Sequence, residues 1–203
     1  MVAKKHLLTM IDHFYHFWEH YCPALRETAQ SYVAAHHQAV RYRRGDVIKV
    51  PHEQFSYLCI VADGLVGGYQ YNRSGKRSLR ELVLPMDFFT GTEHTFTNRK
   101  RAVEFIALRE TTLLQITVAD AREAQALFQE VSELFHVLKQ RKILQLRKLV
   151  ELYQEDDYYE RYALFRELLP QLAATLTNGI QAELLHMSLG HLKKLKKRYL
   201  VER

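Results

Sequence analysis

Lys193, Lys194, Lys196, Lys197 and Arg198 stand within six consecutive residues near the end of the chain. Such a density of cations suits one partner above others, a row of phosphates. Read at helical spacing, Leu192 and Leu195 point one way and the lysines the other, with His191 near the helix start and Ser188 before it as a cap. Upstream, Thr177 stands as a second cap before Ile180, Leu184 and Leu185. Ala182 is small enough for a close helix crossing, and His186-Met187 reads as a turn. Two short helices with cations on the outer face of the second form the skeleton of a helix-turn-helix, which places that second helix in the major groove of DNA. A solvated basic helix is the alternative, and this segment alone does not choose between them.

Other chemistry-bearing residues are less convincing. His13, His16 and His20 share one helical face at a spacing that could bind Zn²⁺. They alternate with Phe14, Phe17 and Trp18, and a chain with 11 histidines clusters some by chance, so no metal site is assigned. Cys22 and Cys59 are too few for a disulfide framework, and Cys59 sits inside an apolar strand pattern where thiols are inert packing. Glu155, Asp156 and Asp157 read as an acidic linker, and Tyr69 and Tyr71 as ordinary alternation along a strand. No catalytic constellation emerges, and a non-enzymatic protein is expected.

Behind these residues stand a length of 203 and a hydrophobic content of 47%, enough for one large domain or two smaller ones. The opening "MVAKKHLLTMIDHFYHFWEH" is interrupted by Asp12, His13, His16 and Glu19 and lacks a cleavage site, so it does not read as a signal peptide. No apolar run approaches the roughly 18–20 residues that cross a bilayer. A cytoplasmic protein with no membrane partner is expected. The net charge of +6 is unevenly spread. From Ser188 to Arg203 six basic residues meet one acid, Glu202, whereas Glu151–Glu160 is acidic and carries no basic residue.

Three zones position these groups. Residues 5–36 read helical, with Leu7, Ile11, Phe14, Phe17 or Trp18, and Tyr21 recurring at three to four residues and Pro23 opening a second helix. Residues 38–118 are short strands in an antiparallel sandwich or barrel: "AVRYRRGDVIKV" around Arg44-Gly45-Asp46, the buried "YLCIV", the hairpin "NRSGK" with Gly75 at positive φ, then "LRELVL", "AVEFIAL" and "TTLLQIT". A polar, basic stretch, "TEHTFTNRKR", interrupts the strand rhythm. From Asp120, as N-cap, to Tyr153 no Gly or Pro occurs, which predicts one helix about 50 Å long. Its stripe of Leu127, Val131, Leu134 and Leu138, continued after a shift by Ile143, Leu146, Val150 and Tyr153, is of the kind that pairs with a second copy of itself. "YYERYALFRELLPQL" then gives a helix ended by Pro170.

The ordered set of these pieces resembles the CRP/FNR family of bacterial transcription regulators. "RRGDVI" looks like the family's Lys-Gly-Glu-x-Ile element, "PMDFFTG" like its Pro-Gly-Asp-Phe-Phe turn, and "VEFIALRETTLLQI" like its last strand pair. Glu160-Arg161-Tyr162 is similar to the tripeptide before its DNA-binding helices, and "QAELLHMSLGHLKKLKK" to its helix-turn-helix signature. The resemblance implies an α+β chain. Its parts are N-terminal helices and an antiparallel, jelly-roll-like β-roll (1–119), a long dimerisation helix (120–153), and a small all-α helix-turn-helix domain (154–203). It implies a homodimer, double-stranded DNA and RNA polymerase as partners, and Thr177, Ser188, His191 and the 193–198 cations as DNA contacts. It further implies a sensor pocket formed by Gly91, Thr92, Glu93, Arg99 and Arg101, in which Arg99, Lys100 and Arg101 could pair with a small anionic effector.

Departures from the family pattern shape the expectation. Thr92 separates Gly91 from Glu93, and Ala102 after Arg101 has no hydroxyl, so cyclic AMP is not the expected effector. The N-terminal cysteines of oxygen-sensing relatives are missing, and no iron–sulfur cofactor is expected. His186 replaces a turn glycine, Gly190 a base-reading glutamate, and Lys194 a guanine-reading arginine. The chain ends three residues after Leu200, so no β-wing is expected and affinity should rest mainly on phosphates. A ligand-sensing dimer that acts through a protein partner, without sequence-specific DNA binding, is the competing reading.

Overall fold

The computed structural model describes residues 2–202, with side chains from residue 11 on, so Leu7 lies outside the described side chains. Two compact units divide between Arg141 and Lys142. Each is taken separately.

In the first unit, helices α1 (Val2–Tyr21) and α2 (Glu27–His36) lead into strands β1 (His37–Tyr42), β2 (Val47–Lys49), β3 (Tyr57–Asp63), β4 (Val66–Tyr71), β5 (Arg77–Val83), β6 (Phe88–Thr90), β7 (Glu104–Ala107) and β8 (Thr111–Thr117). They form two antiparallel four-stranded sheets, ordered β1-β8-β3-β6 and β2-β7-β4-β5. The sequence explains why "YLCIV" is apolar throughout. Cys59 and Val61 point between the sheets with Phe89, Phe105 and Leu113, while Leu58, Ile60 and Ala62 face the helices beside Phe14, Trp18 and Leu114. A strand buried on both faces cannot alternate with polar residues. Turns follow the glycine signals, with φ of +94° at Gly45 and +77° at Gly75, where the Asn72 carboxamide oxygen accepts the N–H groups of Ser74 and Lys76 at 3.0 and 2.9 Å.

Two helix boundaries differ from expectation. Pro23 lies in a turn, and α2 begins at Glu27. The single helix expected from Asp120 is two, α3 (Val118–Leu127) and α4 (Gln129–Gln154), separated by Phe128 in extended conformation at φ −129°. The cap of α3 is Thr117, not Asp120: its hydroxyl accepts the Asp120 N–H at 3.0 Å. At the break, Phe128 packs on Tyr32 with centroids 5.5 Å apart, and the buried Glu130 carboxylate receives the backbone N–H and guanidinium of Arg26. The Trp18 indole donates to the Glu130 carbonyl at 3.2 Å. These anchors fix where α4 starts.

The second unit holds the end of α4, then α5 (Tyr158–Leu168), α6 (Pro170–Thr175), α7 (Asn178–Leu184) and α8 (Leu189–Val201). Pro170 both follows α5 and opens α6 as its first residue, where its missing N–H costs nothing. Its buried side chains include Leu149, Leu152, Tyr162, Phe165, Leu172, Leu176, Leu184, Leu185, Leu192, Leu195 and Tyr199. No helix among the described residues is long and apolar enough to cross a membrane.

Candidate effector pocket and nucleic-acid interface

Within the roll, the stretch after β6 folds back on itself. Thr92 and Lys100 form an antiparallel bridge, and the Arg101 N–H donates to the Gly91 carbonyl at 2.9 Å. Gly91 is required sterically, since a Cβ there would lie 2.2 Å from the Phe55 carbonyl oxygen. Of the expected pocket residues, Glu93 and Arg99 pair with each other on the exposed side at 3.2 Å, and the Thr92 hydroxyl donates to the His94 carbonyl at 2.9 Å. Arg101 alone turns inward. Its guanidinium lies 5.2 Å above the centre of the Phe105 ring and donates to the Glu81 carboxylate at 2.6 Å.

Two residues of this site escaped the sequence reading. Glu81 shares its strand face with Val83, an interior residue, and an acid at an inward position of a β pattern was the available signal. Lys49 is 1% exposed, and its ammonium donates to the carbonyls of Val50, Arg101 and Val103 at 2.9, 3.0 and 3.0 Å. Burial, reinforced by the nearby Arg101 charge and opposed by Glu53, lowers the Lys49 pKa. Three carbonyls satisfy its three protons.

In the second unit, Thr177 and Ser188 are helix caps, accepting the N–H groups of Ile180 at 3.4 Å and His191 at 3.1 Å. Between α7 and α8 the chain turns at His186, whose φ is +56°. Leu192, Leu195 and Tyr199 form the buried face of α8, with the Tyr162 ring edge-on to Tyr199 at 5.4 Å. The opposite face exposes Gly190, Lys193, Lys194 and Lys197 at helical spacing. The remaining cations are engaged locally. Lys196 donates to the Asn178 carboxamide at 2.6 Å, and Arg198 lies 4.2 Å over the Tyr159 ring and pairs with Glu202 at 2.7 Å. His191 meets Tyr158 edge-on at 5.0 Å. Arg161, noted only as part of a motif, ties the acidic linker to the turn by donating to the carbonyls of Glu155 at 2.7 and 2.9 Å and Leu185 at 3.2 Å.

Residues 39–126 match the family described as cyclic nucleotide-binding domain. Compared with curated protein sequences, the chain has no significant match. Among solved structures it is similar to FixK2 from Bradyrhizobium japonicum, with a TM-score of 0.67, 16% identity, and coverage of 82% of this chain and 85% of that one. It is also similar to the c-di-GMP-responsive global regulator CLP from Xanthomonas campestris, at TM-score 0.66 and 14% identity over 87% and 93% of the two chains. A third is TTHB099, a CRP-family transcriptional regulator from Thermus thermophilus, at 0.64 and 18% over 80% and 85%. At these identities the likeness is one of fold, and the fold is that of the CRP/FNR regulators.

The helix after the roll departs from the expected pairing stripe. Val131, Leu134 and Leu138 are buried against the domain's own strands and α1, and Leu127, 56% exposed, sits at the end of α3 beside the Phe128 break. None of the three buried residues is available to a second copy. The exposed apolar side chains of α4 are Ile143, Leu144, Leu146 and Val150, beside Arg147, Glu151 and Gln154. His13, His16 and His20 are all exposed, with His16 near Glu19 at 3.5 Å, and among the described residues no cluster of three or more ligands could hold a metal ion.

Proposed function

We propose that the chain is a homodimeric, DNA-binding transcription regulator. The observation that carries this reading is the capped α8, which turns Lys193, Lys194 and Lys197 outward on one face while Leu192, Leu195 and Tyr199 hold the other in the core. A helix so mounted enters a major groove with its cations against phosphate and guanine edges. A second copy would pair along Ile143, Leu146 and Val150 of α4, whose spacing of three and four residues makes one apolar stripe. Two such α8 helices then read half-sites one turn of DNA apart, and control of transcription runs through contact with RNA polymerase in the cytoplasm. The cyclic nucleotide-binding domain uses an effector other than cyclic AMP, or none.

A partner-binding dimer without sequence-specific DNA recognition is favoured by Gly190, which offers no side chain to a base, and by the Arg198–Glu202 pair, which neutralises one cation. Electrophoretic titration of genomic fragments against competitor DNA, at several salt concentrations, separates the two. The regulator reading expects a subset of fragments to bind at least roughly 10³-fold tighter than competitor. Equal binding by every fragment, or by none, overturns it.

A further inference from the structure

We propose that Glu81 is a built-in anion for the cyclic nucleotide-binding domain: its carboxylate occupies the place at Arg101 that an anionic effector would need, so that the roll works without one. This rests on the assignment of Arg101 to the effector pocket and commits it to the unliganded alternative.

Four features of the roll carry the inference. The Arg101–Glu81 contact, 2.6 Å long, joins side chains only 24% and 13% exposed. A charge-assisted bond so shielded from water is hard for a solvated anion to replace, because breaking it separates two largely desolvated opposite charges. The position is built into the sheet. Glu81 and Phe105 flank Gly68 on neighbouring strands, and a Cβ on Gly68 would come within 3.0 Å of the Glu81 Cβ and 3.1 Å of the Phe105 ring. The guanidinium thus rests on the ring and reaches the carboxylate across the glycine. Its backbone is fastened too: the Arg101 N–H is on Gly91, and the Arg101 carbonyl accepts from Lys49 at 3.0 Å and from the His52 N–H at 3.2 Å. Lys49, its protons spent on carbonyls, is no substitute cation for a ligand. Finally, the ring beneath the guanidinium is itself packed, with Phe105 4.3 Å from Phe89 and Phe89 6.4 Å from Phe55.

A tethered carboxylate competes at an effective concentration of about millimolar or more, which weakens any free anion accordingly. The test is calorimetric titration of the purified full chain, without DNA, with cyclic AMP and with inorganic pyrophosphate. The wild type should show no binding tighter than about 1 mM for either. Glu81→Gln, which keeps the shape and removes the charge, should bind pyrophosphate at least tenfold tighter, and Glu81→Gln/Arg101→Gln should lose that gain. Binding by the wild type tighter than about 10 µM, or no gain in folded Glu81→Gln, overturns the proposal. If Glu81→Gln does not fold, Glu81→Asp, whose carboxylate is withdrawn by one methylene, takes its place under the same criteria. Failure of the DNA-binding reading would appear instead as an absent gel shift whatever residue stands at 81.

Discussion

The ring of Tyr153 lies flat on that of His186, with centroids 4.7 Å apart and planes 12° from parallel, while the Tyr153 hydroxyl donates to the Leu184 carbonyl at 3.0 Å. His186 holds the turn of the helix-turn-helix at φ +56°, where a side chain is strained and glycine is not. An aromatic pair is worth about 0.5–1.5 kcal/mol, close to the strain of about 1 kcal/mol that it accompanies. His186→Gly, which removes both, is therefore expected to change stability by less than about 1 kcal/mol. His186→Ala keeps the strain, loses the ring, and should cost about 1–2 kcal/mol. Urea denaturation of the two variants checks the order, and a glycine variant less stable than the alanine one would refute this account of the turn.

Gly190 is helical and its missing Cβ would meet open space. Nothing in the fold demands glycine there, and glycine inside a helix costs roughly 0.5–1 kcal/mol against alanine. Gly190→Ala should raise stability by about that amount, measurable as a higher urea midpoint at unchanged slope.

The roll was legible because its signals are local. Turn glycines and short apolar runs placed "NRSGK", "YLCIV" and "TTLLQIT" correctly, and Thr177 and Ser188 announced their caps from the hydroxyl alone. The break at Phe128 was not legible, since no Gly or Pro marks it. Contacts distant in sequence impose it, from Tyr32, Trp18 and Arg26. The same distance hid the Glu81–Arg101 pair, whose members are 20 residues apart, one on β5 and the other in the return loop before β7. Periodicity identified an apolar stripe on the long helix but not which part of it the chain itself covers. Val131 and Val150 look alike in sequence, and only packing separates buried from exposed.

Hydrogen bonding from the Arg26 guanidinium outweighs the cost of burial and holds the Glu130 carboxyl down to about 2. A depressed folded-state pKa means that this pair stabilises fully above the ordinary carboxylate range, about 4.3, and that its contribution is lost as pH falls from there toward 2. Urea midpoints measured at pH 6, 4 and 3 should decline for the wild type. In Glu130→Gln the decline across the same window should be shallower, from a lower starting midpoint. Parallel declines in the two proteins would exclude this pair as a source of acid sensitivity.

The exposed stripe on α4 makes a separate prediction about assembly. Leu146→Glu places a charge among the exposed Ile143, Leu144 and Val150, at a position that is itself exposed. Sedimentation should show a dimer becoming a monomer, with helix content kept. Val131→Ala, by contrast, opens a cavity in the first unit's core and should cost about 1–3 kcal/mol in folding while leaving the assembly unchanged at concentrations where the protein is folded. Dissociation by Val131→Ala and not by Leu146→Glu would place the interface elsewhere.

The cations of α8 differ in what they have available for a phosphate. Lys193, Lys194 and Lys197 are exposed on one face, so each lysine-to-glutamine change should lower the slope of log K against log salt by roughly 0.9 and weaken all duplexes to a similar degree. Lys196 is committed to Asn178, and its replacement should act more on stability than on the slope. Arg198 is the informative case, because its pair with Glu202 cancels a charge close to the same face. Glu202→Gln releases that charge without adding a contact, and DNA affinity at low salt is expected to rise, with a steeper salt dependence. If Glu202→Gln leaves both unchanged while Lys197→Gln weakens binding, Arg198 faces away from the duplex and the helix docks through its first two turns alone.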